Sequence, residues 1–276
     1  MMAGSNQVDD LGAVAATSLG TALTANGTAN TEGTTYTQII ASTTRAYDGL
    51  FVQLIGNSAT AHRLLLDLAV GAAASEVDVI QDLLFTQTAT TALRCPVNYA
   101  FLPIQIASGS RLSMRSRAST ASMVSSVQVL GVVQQTFTPT KYTKCTTYGA
   151  DTTDSGGTAI DAGATANTKG AFAVLSSSTA DPMKAMVVVL MPSTLVIPAT
   201  LTTVLIDLAI GAAASEVLVV SNLFWRRSNN VNSDNGTSVG PFLVDIPAGT
   251  RVTARCQASS TDADARIQDV VVYGFN

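Results

Sequence analysis

The sequence has little charge, few aromatic residues and few of the residues that usually cover exposed helices. Only 12% of its 276 residues are charged and 5% are aromatic, and the net charge is −4. It has three glutamates and four lysines. Because exposed helix faces are usually rich in Glu and Lys, whereas Thr and Val favour strands, this shortage predicts an all-β protein with few helices. Because Lys and Arg supply most of the affinity for phosphate backbones, the acidic composition predicts no nucleic-acid partner.

Long apolar runs and cysteine motifs are also missing. No apolar run approaches the roughly 18 residues that would span a bilayer, so no membrane partner is expected. The start of the chain, MMAGSNQVDD, is acidic where a signal peptide would be basic and then apolar, which predicts a soluble product made in the cytoplasm. Cys95, Cys145 and Cys256 lie far apart and in no metal-binding spacing, so we predict buried free thiols without a metal or cofactor.

Familiar catalytic motifs are absent as well. His62 is the only histidine, and no Gly-x-Ser-x-Gly sequence accompanies it, so neither a Ser-His-Asp nor a Cys-His arrangement is indicated. Its neighbours resemble a turn before a strand, which predicts a histidine on the surface. Phosphate-binding loops, dinucleotide-binding glycine patterns and calcium loops are also missing. These absences lead to the prediction that the chain has no catalytic residues and is not an enzyme.

A long internal repeat organises the chain. Residues 64–85 and 204–225 are identical at 13 of 22 positions when they are aligned at an offset of 140. Residues 20–33 match residues 157–170 at an offset of 137. A repeat of this length has the size of a domain, so the sequence predicts a tandem pair of like-folded domains. The predicted division is an N-terminal arm over 1–19, a first domain over 20–134, a linker over 135–156 and a second domain over 157–276.

Short apolar runs bounded by turn residues predict the strands. Residues 50–55 and 186–191 are rich in branched apolar residues, while residues 102–106 and 242–246 alternate as half-buried strands. The sequence GAAASE at residues 71–76 is interpreted as a turn, because it starts with Gly and precedes a Val-x-Val pattern. Seven or eight such strands in each copy are typical of an antiparallel β-sandwich, and we predict a jelly-roll-like fold.

Charged residues recur at equivalent positions in the two copies. Asp67 and Asp207 each interrupt an apolar strand, where an ionised carboxylate needs a partner to offset its desolvation. We therefore predict two structural ion pairs, Asp67 with Arg115 and Asp207 with Arg255. Two carboxylates could instead act as acid and base, as in glycoside hydrolysis, or serve a subunit contact. Features present in both copies are explained most simply by the fold that the copies share.

Three arginines and one tryptophan are candidate interface residues: Arg111, Arg117, Arg251 and Trp225. Arg111, Arg115 and Arg117 lie on one predicted strand face, because side chains two residues apart point the same way. This stripe could bind an acidic neighbour or a glycan, and the alternative is a solvated edge that discourages aggregation. Trp225 could form a platform for a sugar, and the alternative is a core tryptophan at a strand end.

Two segments resemble structural proteins of tailed-bacteriophage particles. Residues 246–259, IPAGTRVTARCQAS, match the pattern I-P-A-G-S-R-I-x-A-R-x-Q-S of those proteins, and LDLAVGAAASE is similar to a strand that precedes it. In residues 106–119, Ser108 and Met114 replace the usual Ala. The resemblance covers about half of each copy.

The resemblance implies a non-enzymatic virion component that is made in the cytoplasm of a bacterial host. The first choice is an oligomeric capsid decoration, or cement, protein, and the alternative is a tail or fibre component that binds a host receptor or glycan. The expected partners are further copies of the chain, with a trimer favoured, and the major capsid protein or other virion proteins. The resemblance implies no catalytic residues.

Overall fold

The structure is a computed structural model that describes residues 7–12, 20–56, 60–87, 97–133, 142–229 and 236–276. Within these residues the chain forms β-strands and one helix of four residues. The first half of the chain contains β1 (Gln7–Asp10), β2 (Thr21–Thr24), β3 (Thr37–Ile40), β4 (Gly49–Gly56), β5 (His62–Val70), β6 (Val77–Gln87), β7 (Val97–Asn98), β8 (Leu112–Ala118) and β9 (Val124–Val133). The second half contains β10 (Cys145–Tyr148), β11 (Ala150–Asp151), β12 (Gly156–Asp161), β13 (Ala173–Ser176), β14 (Met183–Pro192), β15 (Thr202–Ile210), β16 (Val217–Arg227), β17 (Thr237–Ile246), β18 (Val252–Ala258), α1 (Ala263–Arg266) and β19 (Ile267–Phe275).

The strands of the first half pair like a long hairpin that has been rolled up. β2 pairs with β9, β3 with β8, β4 with β7 and β5 with β6, all antiparallel. They form two sheets, one of order β1-β9-β4-β7 with β2 also beside β9, and one of order β3-β8-β5-β6. Nested pairs divided between two sheets are the arrangement of a jelly roll. The predicted all-β, jelly-roll-like fold is therefore confirmed.

The second half shows the same nested pairing. β12 pairs with β19, β13 with β18, β14 with β17 and β15 with β16. The predicted domain limits stay a prediction. Three of the described strands lie outside the predicted domains: β1, in the predicted arm, pairs with β9, and β10 and β11, in the predicted linker, pair with β19 and β12. Within the part of the chain that the structure describes, no helix is long and apolar enough to cross a membrane.

Two local predictions differ from the structure. Leu102, Ile104 and Ile106 are buried, but they form isolated bridges instead of the predicted regular strand. Pro103, which has no N–H to donate, lies within this segment. His62 begins β5 and is buried, not on the surface. Its Nδ1 atom lies 2.7 Å from the carbonyl oxygen of Thr60, and such a polar contact offsets the cost of burying the ring.

The cysteines follow their prediction only in part. Cys256 is buried, and burial raises the pKa of its thiol to about 12. Cys145 is a free thiol that is only partly buried by surface area. Cys95 lies outside the described residues.

The sheet that contains β14 and β19 is buried on both faces. Met186, Val188 and Leu190 belong to the core of the second half. Val187 and Val189, which alternate with them, pack in one cluster with the core of the first half. A strand covered on both sides needs no polar face, which explains why β14 is apolar from Ala185 to Pro192.

Candidate functional site

In the first half, Asp67 joins three strands at a β-bulge. Arg115 Nε, on β8, donates a hydrogen bond of 2.9 Å to Asp67 Oδ2, and the backbone N–H of Asp82, on β6, donates one of 2.9 Å to Oδ1. Asp82 has a φ of 56°, in the left-handed region that Asp and Asn adopt more readily than most residues. The carboxylate therefore compensates for the backbone bond that the bulge disturbs.

Asp207 does the same in the second half. Arg255 Nε donates to Asp207 Oδ2 over 3.0 Å, and the backbone N–H of Asn222 donates to Oδ1 over 3.0 Å. Asn222 has a φ of 54°, which matches Asp82. The structure thus brings together both pairs that were predicted from the sequence. Each pair lies at a bulge, which gives a structural reason for a carboxylate within an apolar strand.

Further carboxylates surround Asp67. Oxygen atoms of Glu32, Asp67 and Asp82 all lie within 4.8 Å of one another, and this group of donors is of the kind that can hold a metal ion. The guanidinium groups of Arg115 and Arg117 already contact the same carboxylates. Burial and the nearby charge of Asp67 raise the pKa of Asp82 to about 6. The first half therefore concentrates negative charge that its arginines offset only in part.

The second half places a lysine in the corresponding position. Lys169 corresponds to Glu32 at the offset of 137, and its Nζ donates to Asp207 Oδ1 over 2.8 Å and to Asn222 Oδ1 over 2.9 Å. Burial raises the pKa of Asp207, but the hydrogen bonds from Lys169, the Asn222 backbone and Arg255 outweigh it, so the pKa lies below its usual value. The pKa of Asp67 is raised, chiefly by burial.

Arg111 and Arg251, predicted at an interface, each bind a turn within the chain. Arg111 Nη1 donates to Glu76 Oε1 over 2.8 Å and to the carbonyl of Gly71 over 3.3 Å. Arg251 Nη1 binds Glu216 Oε1 over 2.9 Å in the same way. Both turns fall at the predicted GAAASE positions. These guanidinium groups therefore have partners inside the protein.

The two remaining interface candidates are also engaged within the chain. Arg117 pairs with Glu32. Trp225 is 6% exposed and packs in the core of the second half, where the alternative of a core tryptophan places it, and its role at an interface stays a prediction. Its neighbour Phe224 is 61% exposed, because adjacent residues of a strand point to opposite faces. Trp225 aligns with Phe85 in the repeat. This alignment of two aromatic residues was a sequence signal that could have identified Trp225, and not Phe224, as the buried residue.

The two halves meet where β6 packs against the sheet that contains β12, β14 and β19, and we call this contact the seam. The hydroxyl of Tyr273 accepts a hydrogen bond of 2.8 Å from the Leu84 N–H and donates one of 2.8 Å to the Asp82 carbonyl. Leu84 lies so close to Gly157 that a Cβ atom there would be 3.1 Å from Leu84 Cδ2. The Thr147 hydroxyl donates to the carbonyl of Gln81 over 2.6 Å.

A polar crevice of about 560 Å³ opens at the seam. Arg63 lines it and places Nη2 2.8 Å from Asp154 Oδ2 and Nη1 3.7 Å from Asp269 Oδ2. Asp269 is buried and accepts a hydrogen bond of 3.0 Å from the Gly157 N–H. Burial raises its pKa to about 7. Sequence reasoning missed this group because neither Arg63 nor Asp269 recurs in the other copy.

We expect Asp269→Asn to flatten the pH dependence of stability. Because the folded-state pKa of about 7 lies above the ordinary value of 3.8, the folded chain holds this proton more tightly than the unfolded chain. Asp269 therefore contributes a loss of stability as the pH rises from about 4 to about 7, by at most about 1.4 kcal/mol per pH unit.

Urea unfolding of the wild type and of Asp269→Asn, measured at several pH values across this range, checks the expectation. Asp151→Asn is the control, because the pKa of Asp151 is lowered, chiefly by the hydrogen bond from the Thr153 hydroxyl, and its contribution has the opposite sign. An unchanged slope in Asp269→Asn would contradict the assignment.

No protein-family model matches the sequence, and no curated protein matches it. Several solved structures are similar in fold. A structure of PNGF-II has a TM-score of 0.39 at 9% identity and covers 87% of this chain and 59% of that chain. The chain therefore spans about three fifths of the length of PNGF-II.

Two further structures match over nearly their whole length. The STIV MCP, a viral major capsid protein, has a TM-score of 0.34 at 12% identity, covering 99% of this chain and 96% of that chain. A peptide-N(4)-(N-acetyl-β-D-glucosaminyl) asparagine amidase has a TM-score of 0.35 at 10% identity, covering 93% of this chain and 96% of that chain. These similarities are distant and concern the general fold.

The amidase structures correct one sequence prediction. Missing motifs led to the prediction that the chain is not an enzyme, yet the structures with a similar arrangement of strands include an enzyme. The reasoning failed because each motif that was sought belongs to particular enzyme families, whereas one fold can carry many unrelated sites.

Proposed function

We propose that the chain is a structural protein of a tailed-phage particle, most simply an oligomeric decoration protein on the capsid surface. The observation that carries the proposal is the nested strand pairing in both halves of the chain, which pack against each other through a buried seam. Jelly rolls are a recurrent architecture of viral capsid proteins. A unit in which one jelly roll already packs on another is suited to form further contacts of the same kind.

Exposed apolar side chains support a role in assembly. The second half presents several of them: Val174, Val217, Leu218, Phe224 and Leu243, each more than two fifths exposed. Three of these residues, Val217, Leu218 and Phe224, lie on the single strand β16, and exposed apolar patches are typical of protein–protein contacts. Under this proposal the partners are further copies of the chain and the major capsid protein, and the chain is made in the host cytoplasm before it joins the virion.

The resemblance of residues 246–259 to phage structural proteins adds independent support. In this structure the segment forms the end of β17, a turn and β18. Arg251 holds the neighbouring turn, and Arg255 binds Asp207. Both arginines of the shared pattern therefore stabilise the jelly roll. We expect the same pattern in other phage structural proteins that use this fold.

Purified particles test the proposal directly. Mass spectrometry of particles separated on a density gradient is expected to find the chain in many copies per particle. Immunogold labelling with an antibody against the recombinant chain is expected to decorate the capsid. Labelling confined to the tail tip would replace capsid decoration with the alternative of a receptor- or glycan-binding tail component. Absence of the chain from purified particles would overturn the proposal.

A further inference from the structure

The surface of β6 that the seam covers has an uncovered counterpart on β16. At the repeat offset of 140, Leu65 and Leu84 correspond to Leu205 and Phe224. Leu65 is 1% exposed and Leu84 is 0% exposed, because the second half packs on them. Phe224 is 61% exposed and Leu205 is half-buried. We call the outward side of β15 and β16 around these two residues the β16 surface.

The sheet that covers β6 also has a counterpart, in the first half. The pairing of β14 with β19 matches the pairing of β4 with β9. In this match, β14 residues correspond to β4 residues at an offset of 136, and β19 residues correspond to β9 residues at an offset of 143. Val187 and Tyr273 of the seam therefore correspond to Phe51 and Leu130. Phe51 is 36% exposed and Leu130 is half-buried. We call this side of β1, β4 and β9 the β9 surface.

Each chain thus contains one matched pair of surfaces that are in contact and one matched pair that are not. We propose that the β16 surface of one copy binds the β9 surface of a second copy and so repeats the seam between chains. The inference rests on the proposed function in that it names the contact through which the oligomer forms. Because the two surfaces differ, the contact is head-to-tail, and successive copies close into a ring or continue as a filament.

The charges of the two surfaces are complementary. Thr147, which binds the carbonyl of Gln81 in the seam, corresponds to Asp10, and Gln81 corresponds to Ser221. A repeated seam therefore places Asp10 beside Ser221. The next residue, Asn222, binds the ammonium group of Lys169. Lys169 is already paired with Asp207, so the exposed cation of the β16 surface is Arg226, and charges of opposite sign on two surfaces guide their association.

The β16 surface also offers what an interface centre needs. Phe224 is a large aromatic residue that is already fixed within a strand, so it loses little conformational freedom on binding. Aromatic residues of this kind commonly dominate the binding energy of interfaces. Arg226, on the same strand face, is exposed and extends the basic character of this surface.

Sedimentation velocity of the full chain and of Phe224→Asp tests the surface. The wild type is expected to associate, and Phe224→Asp is expected to weaken association by at least about tenfold while its unfolding as a monomer is unchanged. Leu243→Asp is the matched control, because Leu243 is 82% exposed but lies on β17, outside the β16 surface. A wild type that stays monomeric, or equal association of wild type and Phe224→Asp, would overturn the inference.

A cysteine pair tests the orientation. Asp10→Cys and Ser221→Cys are both at exposed positions. Under mild oxidation, a mixture of Asp10→Cys and Ser221→Cys is expected to give a disulfide-linked dimer that joins position 10 of one copy to position 221 of the other. Peptide mapping identifies this link, and neither variant alone is expected to form it. A disulfide between two copies of Ser221→Cys alone would show a two-fold contact and contradict the inference. The presence of the chain in particles is measured separately, so this failure would leave the proposed function standing.

Discussion

Asp207→Asn is expected to lower the free energy of unfolding by about 3 kcal/mol at neutral pH. The substitution keeps the shape of the side chain and an oxygen for the Asn222 N–H, but it removes the charge that both Lys169 and Arg255 bind. Asp207 is 2% exposed and the side chains of Lys169 and Arg255 are 22% and 29% exposed, so water replaces the lost charge only in part. The cost is therefore placed at the lower end of what removing one member of a buried ion pair typically costs, about 3 kcal/mol.

The matched substitution Asp67→Asn is expected to cost less than about 1 kcal/mol, a value typical of substitutions that break no favourable contact. It removes one negative charge from the carboxylates around Asp67, whose charge the arginines offset only in part. Arg115 keeps a contact of 3.0 Å with Asp78. Urea unfolding of both variants under one condition measures the difference. Equal losses would contradict the charge assignment of the two clusters, since the backbone hydrogen bonds are the same in both.

Leu84→Ala is expected to lower the free energy of unfolding by about 3 kcal/mol, because it leaves a cavity in the seam where the side chain packs on Gly157. The control is Phe224→Ala, the equivalent change in the second half. In dilute solution, where copies do not associate, it is expected to cost less than about 0.5 kcal/mol, because Phe224 is 61% exposed.

Thermal and urea unfolding of these two variants compare the buried and the exposed surface of the same repeat. A small effect of Leu84→Ala would mean that the halves do not stabilise each other through β6. A large effect of Phe224→Ala in dilute solution would mean that the β16 surface is already covered within one chain.

The strands could be predicted from sequence because their signals are local. Branched apolar runs and glycine turns delimit β5 and β15, and the fixed offset of the repeat brought Asp67 and Asp207 to attention as equivalent residues. Arg115 and Arg255 followed from the same offset. The bulge could not be predicted, since the left-handed conformation of Asp82 depends on a carboxylate of the neighbouring strand.

The seam could not be predicted for a different reason. Leu84 and Phe224 are both large apolar residues in equivalent strands, and only the packing of the second half distinguishes a covered residue from an exposed one. Arg63 and Asp269 are far apart in the sequence but lie side by side in the structure, and the internal repeat does not relate them. His62 was misplaced because a polar ring beside a turn is buried here by its neighbours in the fold.

A cryo-electron microscopy map of purified particles tests the central claim most directly. The account predicts two adjoining jelly rolls for each copy at the capsid surface, with the β16 surface of each copy against the β9 surface of the next. A capsid surface on which no density fits this chain would contradict it.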